Sequence, residues 1–197
     1  MENRPESEPI PTGFTKPLEV TAPSIIVVEG IEDKMFFDAL IRHMEIDHIQ
    51  VIPTDSKSKL GNTLGIIHRY PIVESVGIVQ DANGNPENTL KEIQKALREK
   101  GLEAPQSPLT LTSGRPRICV TLMPSSNSAG TIEDLCLQSF AENPVMSCVD
   151  QYFTCAKDLP PEVSSKRSKA RLQVLLAVKN PEVRLGAAAR EGYLQWD

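Results

Sequence analysis

The feature that most constrains the fold is a continuous apolar run, Ile25-Ile26-Val27-Val28, which ends in Glu29 and Gly30. An apolar run without polar alternation is typical of a strand that is covered on both faces, as in parallel sheets. The apolar side chains that follow recur at helical spacing, which predicts a helix over residues 32–44. The chain therefore opens its folded part with a buried strand followed directly by a helix.

The same alternation recurs further along the chain. Further strands are predicted at 48–53, 75–80 and 117–123, and helices at 59–70, at 86–100 and from residue 131. Strands that alternate with helices predict an α/β fold with a mostly parallel sheet of about four strands flanked by helices. Beyond residue 143 only helical patterns follow, at 144–156, 163–178 and 181–192.

These patterns predict three segments. Residues 1–23 contain five prolines, which remove amide donors, and we expect a flexible leader there. Residues 24–142 form the predicted α/β domain, and residues 143–197 a helical C-terminal extension packed on it. The chain ends abruptly after GYLQWD, which leaves open a longer natural form.

Composition limits the classes of function. The sequence has no apolar run of the roughly 20 residues that cross a bilayer, and its start lacks the basic and apolar regions of a secretion signal. We therefore expect a soluble cytoplasmic protein without membrane contact. The formal net charge is −5, so binding of DNA or RNA must be local or mediated by a metal ion.

Two common kinds of site are not predicted. The four cysteines have no CxxC spacing and the three histidines are not grouped with them, so a zinc site is not expected and we predict buried free thiols. The sequence also lacks GxxxxGK[ST], so any ATPase would be a separate partner protein.

Acidic residues follow three of the predicted strands. Glu29 and Asp81 come directly after apolar runs, and Glu133 follows a third run and its loop. The carboxyl ends of parallel strands meet at one edge of a sheet, where like charges raise one another's pKa. A divalent cation with oxygen ligands, Mg²⁺ or Mn²⁺, removes that cost.

Each acid also has a purely structural interpretation. Glu29 could pair with a lysine at the sheet edge, and Asp81 could form a turn, since DANGN is good turn chemistry. Glu32 and Asp33, and also Glu133 with Asp134, could simply place negative charge at the start of a helix.

The order of these residues resembles a known family. VEG at 28–30 with ExxxD from Glu29 to Asp33, DAN at 81–83, and GTIED at 130–134 resemble the Toprim domain of topoisomerases, bacterial primases and overcoming-lysogenisation-defect nucleases. The resemblance covers residues 24 to about 140 and implies a Toprim-like Rossmannoid fold. Small stand-alone Toprim-like proteins have the most similar pattern.

The resemblance implies a site that binds Mg²⁺ or Mn²⁺. Glu29 would bind metal or act as general acid and base, and Asp81 matches the first aspartate of the DxD pair of the family. The second aspartate is replaced by Asn83, which supplies an oxygen but no charge. The implied metal ligands are Glu29, Asp33, Asp81, Asn83, Glu133 and Asp134.

Two further residues are candidates for substrate binding. Gly30 leaves room for a phosphate to approach the backbone. Lys169 lies in the basic run SSKRSKAR, although such runs are usually solvated helix faces. We predict a metal-dependent nuclease or phosphoryl-transfer protein that acts on DNA or RNA; the alternative is a weak or inactive binding module that works with a partner such as an ATPase.

Overall fold

A computed structural model describes residues 18–54, 59–157 and 167–196. In this part of the chain it confirms the predicted α/β class. The elements are, in chain order, β1 (Ser24–Val28), α1 (Ile31–His43), β2 (Ile49–Pro53), α2 (Leu60–Ile67), β3 (Ser75–Asp81), α3 (Pro86–Glu99), β4 (Arg117–Met123), α4 (Ile132–Ser139), α5 (Val145–Ala156), α6 (Arg167–Ala177) and α7 (Leu185–Arg190).

The four strands form one parallel sheet in the order β2-β1-β3-β4. Val27 of β1 lies beside Ile78 of β3, and Asp81 at the end of β3 lies beside Met123 of β4. Because the strands are parallel, the connections that follow β1, β3 and β4 all leave from the same edge of the sheet. This edge carries the predicted acidic residues.

Both faces of the sheet are covered by helices, as the continuous apolar run of β1 predicts. Side chains of a strand alternate between the two faces, and Val27 and Val28 accordingly belong to different hydrophobic clusters. The cluster with Val27 includes α2 and α3, and the cluster with Val28 includes α1 and α4 to α7. The C-terminal helices thus complete the face that also holds α1.

The predicted bounds of most elements agree with the structure within a few residues. Helix α7 is shorter than the predicted 181–192, because Asn180 Oδ1 accepts a hydrogen bond from Glu182 N at 3.0 Å and forms a turn before the helix. Residues 163–166 of the predicted 163–178 helix lie outside the described residues.

The last residues of the predicted leader contact the domain. Val20 and Ala22 are buried, and the side chain of Gln50 on β2 accepts from Thr21 N and donates to Glu19 O, both at 2.8 Å. Residues 18–23 thus pack on the domain beside β2, whereas residues 1–17 lie outside the described residues.

Two further predictions, on the burial of the cysteines and on membrane-spanning segments, can be compared with the structure. All four cysteines are free thiols, but Cys148 and Cys155 are exposed, so the prediction that they are buried was wrong; both lie on α5, where Val149 and Phe153 form the buried face. No helix among the described residues is long and apolar enough to cross a membrane.

Candidate functional site

Carboxylates from three separated parts of the chain face one cavity at the carboxyl edge of the sheet. We call Glu29, Asp33, Asp81 and Glu133 the acid cluster. Glu29 follows β1, Asp81 ends β3, and Asp33 and Glu133 lie in the first turns of α1 and α4. All four line a cavity of about 670 Å³, the acid cavity.

The start of α1 fixes the position of Asp33. Asp33 Oδ2 accepts a hydrogen bond from Gly30 N at 3.0 Å, which satisfies an amide that precedes the helix. Gly30 itself has an extended backbone (φ −135°) that any residue can adopt. An added Cβ would meet only Asp33 Oδ2, at 3.7 Å, so local geometry does not require a glycine at this position.

The loop after β4 fixes α4 against β3. Asn83 and Gly130 exchange backbone hydrogen bonds of 2.7 and 2.8 Å, and Ile132 N donates to Asp81 Oδ1 at 2.9 Å. Gly130 has φ +143°, and an added Cβ would lie 2.7 Å from Asp134 Oδ2. A glycine is therefore required here, and it allows the first turn of α4 to approach Asp81.

The two aspartates of the cluster have raised pKa values. Burial raises the pKa of Asp81 to about 7; the hydrogen bond from Ile132 N counteracts this rise, and the negative charges of Glu133, Asp33 and Glu29 add to it. Burial also raises the pKa of Asp33, with further increases from Glu29 and Glu133. The negative charges of Glu29 and Glu133 thus act on both aspartates.

A lysine on α6 offsets part of this charge. Lys169 Nζ on α6 lies 4.0 Å from Glu133 Oε1, and the Glu133 side chain is 12% exposed against 63% for Lys169. The positive charge of Lys169 also lowers the pKa of Asp33. The lysine predicted for substrate binding thus lies at the rim of the acid cavity.

The other predicted metal ligands contact the local backbone or a neighbouring helix. The exposed side chain of Asn83 donates through Nδ2 to the main-chain oxygen of Asp81 at 2.8 Å. Asp134 Oδ2 accepts from Thr131 N at 2.8 Å, and Asp134 Oδ1 accepts from Ser168 Oγ on α6. Both residues line the acid cavity, and their role as metal ligands stays a prediction.

Two residues that sequence reasoning did not select also shape the site. Glu32 Oε2 accepts a hydrogen bond from Gly186 N at 3.0 Å and so joins α1 to α7. Ser168 joins α6 to the first turn of α4 through Asp134. Neither contact has a local signal in the sequence, because the partners lie 154 and 34 residues apart.

The donor chemistry of the acid cluster fits a hard divalent cation, which prefers carboxylate oxygens. Asp33 Oδ1 and Asp81 Oδ2 form no hydrogen bond within residues 18–54, 59–157 and 167–196, so each aspartate offers one oxygen. Among the same residues, no three His, Cys, Asp or Glu side chains are placed so that they could together hold a metal ion. The cluster therefore has suitable donors and excess negative charge, and its oxygens would have to move closer together to bind an ion.

The fold is similar to that of two solved structures. The C-terminal region of the Burkholderia pseudomallei OLD protein gives a TM-score of 0.48 at 13% identity, covering 88% of this chain and 89% of that chain. The C-terminal region of the Xanthomonas campestris pv. campestris OLD protein gives 0.44 at 12% identity, covering 86% and 85%. Similarities at this level do not establish a shared function.

The comparison with curated proteins finds no match. In contrast, the profile of one family, described as "Protein of unknown function (DUF3226)", matches residues 23–197 and so spans the sheet, the acid cluster and the C-terminal helices. The chain therefore belongs to the DUF3226 family.

Proposed function

We propose that this protein is a Toprim-like, Mg²⁺- or Mn²⁺-dependent phosphodiesterase that acts on DNA or RNA. The observation that carries the proposal is the acid cluster: four carboxylates from three separated segments share one cavity, and their negative charges contribute to the raised pKa of Asp33 and Asp81. Such an arrangement costs free energy in the absence of a cation. A function in which the cation binds there accounts for the cost.

The motifs that resemble the Toprim domain support this proposal. The three motif regions lie far apart in sequence, yet their acids line the same cavity. These acids are Glu29 and Asp33 of VEG and ExxxD, Asp81 of DAN, and Glu133 of GTIED. Glu29, Asp33, Asp81 and Glu133 would hold the cation. When bound, a divalent cation polarises a phosphoryl oxygen and lowers the pKa of a bound water.

The residues of the chain contribute positioning and proton transfer. Asp81 is held at Oδ1 by Ile132 N, which leaves Oδ2 to bind the cation, and Glu29 would bind the cation or accept the proton of the attacking water. Lys169 at the rim would neutralise a phosphate oxygen of the substrate, and the missing side chain of Gly30 leaves space for the backbone of the substrate.

Metal-dependent cleavage is the direct test. Purified protein is incubated with single- and double-stranded DNA and RNA in Mg²⁺ or Mn²⁺, and we expect cleavage that Glu29→Gln and Asp81→Asn both remove. Glu32→Gln is the matched control, because Glu32 also lines the acid cavity but is bonded to Gly186 N. Cleavage that survives in Glu29→Gln and Asp81→Asn, or that persists in EDTA, contradicts the proposal.

A second candidate function is a catalytically weak binding module that works with a separate partner such as an ATPase. Asn83 favours it, because a neutral amide stands where the resemblance implies a second aspartate, and this amide donates to Asp81 O. Asn83 has φ 51°, which aspartate also tolerates. If the protein binds metal weakly because one negative charge is missing, Asn83→Asp should raise the Mn²⁺ affinity measured by calorimetry. If neither wild type nor Asn83→Asp binds metal, and native mass measurements find a stable partner, the binding module is supported instead.

A further inference from the structure

A second cavity, of about 640 Å³, opens beside the acid cavity between α1, α6 and the start of α7. We call it the α6 cavity. It shares four lining residues with the acid cavity: Glu32, Asp33, Glu133 and Lys169. A ligand that occupies both cavities would therefore place one part against the acid cluster and another part against α6.

Apolar side chains form one part of the α6 cavity. Leu172 and Leu176 of α6 and Leu185 of α7 line it and are buried in the hydrophobic cluster of that face. Gln173 Nε2 donates to Val183 O at 2.9 Å, which fixes the segment between α6 and α7. Cavities of about 300–1,000 Å³ that combine apolar side chains with polar groups are typical sites for small organic ligands.

The charges around the α6 cavity select the polar end of a ligand. The α6 cavity shares three carboxylates and Lys169 with the acid cavity, and it is also lined by Glu182 and Arg184. Arg184 is exposed and forms no ion pair within the described parts of the chain. A phosphate would meet Lys169 and Arg184, and a divalent cation at the acid cluster would offset the carboxylates of Asp33 and Glu133. Glu182 is exposed, so solvent screens its charge.

We propose that the α6 cavity binds the nucleoside of one unpaired nucleotide, with the phosphate of that nucleotide over the acid cluster. This inference rests on the proposed function and adds a substrate class to it. A base inside a duplex is stacked and paired, so it cannot enter a cavity lined by Leu172 and Leu176 unless it is unstacked. The substrate is therefore a single strand or an unpaired strand end, or a free nucleotide with the same chemistry.

Binding is measured by fluorescence anisotropy in Ca²⁺, so that the result does not depend on cleavage. The probes are a labelled single-stranded oligonucleotide and the corresponding blunt duplex, with an unlabelled mononucleotide as competitor. We expect the single strand to bind at least about tenfold more tightly than the duplex and the mononucleotide to displace it.

Two phenylalanine substitutions on the same helix form the matched pair. Ala170→Phe fills the α6 cavity without removing a charged group, whereas Ala177→Phe places the same side chain at an exposed position outside it. We expect Ala170→Phe to weaken binding of the single strand by about tenfold or more and Ala177→Phe to leave it unchanged. If Ala170→Phe does not fold, Arg184→Ala provides a second test, because Arg184 is an exposed residue that lines the cavity. We expect Arg184→Ala to weaken binding several-fold.

The results separate this inference from the proposed function. Binding that Ala170→Phe or Arg184→Ala weakens, without any Mn²⁺-dependent cleavage, supports the cavity and contradicts the enzyme. Cleavage by wild type that neither variant changes contradicts the cavity alone. Binding of the mononucleotide but not of the strand assigns the cavity to free nucleotides. Binding of neither, or equal binding of strand and blunt duplex, overturns the inference.

Discussion

Helices α1 and α4 begin with the same three residues but use them in opposite ways. Ile31-Glu32-Asp33 opens α1 and Ile132-Glu133-Asp134 opens α4. In both helices the aspartate accepts a hydrogen bond from the amide three residues earlier, at 3.0 and 2.8 Å. In α1 the aspartate belongs to the acid cluster and the glutamate joins another helix, whereas in α4 these roles are exchanged.

Tertiary contacts cause this difference. Gly186 N of α7 binds the side chain of Glu32, and Ser168 of α6 binds that of Asp134. The first residue differs as well: Ile132 is buried, while Ile31 is 57% exposed. A local motif thus fixes a helix start, and the helices packed around it decide which of its acids remains available to a cation.

The strongest test of the comparison is a crossed set of amide substitutions. We expect Asp33→Asn and Glu133→Gln each to lower metal-dependent cleavage by about 100-fold, equivalent to about 2.7 kcal/mol. Each of them removes a charge from the acid cluster and keeps an oxygen acceptor. Asp134→Asn and Glu32→Gln are the matched controls, and Mn²⁺ calorimetry on all four variants checks the result independently of cleavage. Equal losses in all four would show that the two helix starts do not differ.

A second test removes the support that α7 gives to α1. A Cβ at Gly186 would lie 2.6 Å from Met35 Cβ and 2.7 Å from Glu32 O, so Gly186→Ala must displace α7. We expect the free energy of unfolding to fall by about 2–3 kcal/mol, measured by urea denaturation. Gly84→Ala is the control, since its Cβ would meet no atom within 4 Å; an unchanged Gly186→Ala would mean that α7 is not held against α1.

The corresponding test at α4 has a smaller expected effect. Asp134→Ala removes the acceptor for Thr131 N and for Ser168 Oγ, and loss of such a helix cap costs about 1–2 kcal/mol. Ser168→Ala removes only the contact with α6 and should cost less. Thermal denaturation of both variants measures the difference, and a larger loss in Ser168→Ala would assign the stabilisation to α6 rather than to the cap.

Sequence patterns predicted the framework better than the site. The apolar run before Glu29 and the strand, helix alternation predicted the parallel sheet, because these signals are local and periodic. They also placed Asp81 at the carboxyl edge beside Glu29. They could not assign Glu32 or Asp134, because the partners of these side chains, Gly186 and Ser168, are set by packing between distant helices.

The smallest expected effect concerns the charge of Asp81 without metal. Burial and the other acids raise its pKa from 3.8 to about 7, so between these values the folded protein holds a proton that the unfolded chain releases. The contribution of this proton to the free energy of unfolding is fully present below pH 3.8 and is lost as the pH rises through about 7. Asp81→Asn keeps an oxygen acceptor for Ile132 N and removes the charge. Without metal at pH 8 we expect it to be more stable than wild type by about 1 kcal/mol after solvent screening, or about 2–4 °C in Tm.

At about pH 4 the two proteins should unfold at the same temperature, because Asp81 is then protonated in the folded wild type. Adding Mn²⁺ at pH 8 should reverse the order, since an ion that binds only the folded state stabilises wild type and not the variant. Differential scanning calorimetry at both pH values, with and without Mn²⁺, measures all four cases. A Tm difference that changes with neither pH nor Mn²⁺ would mean that the charge of Asp81 is already compensated within the protein, and the acid cluster would then have no need of a cation.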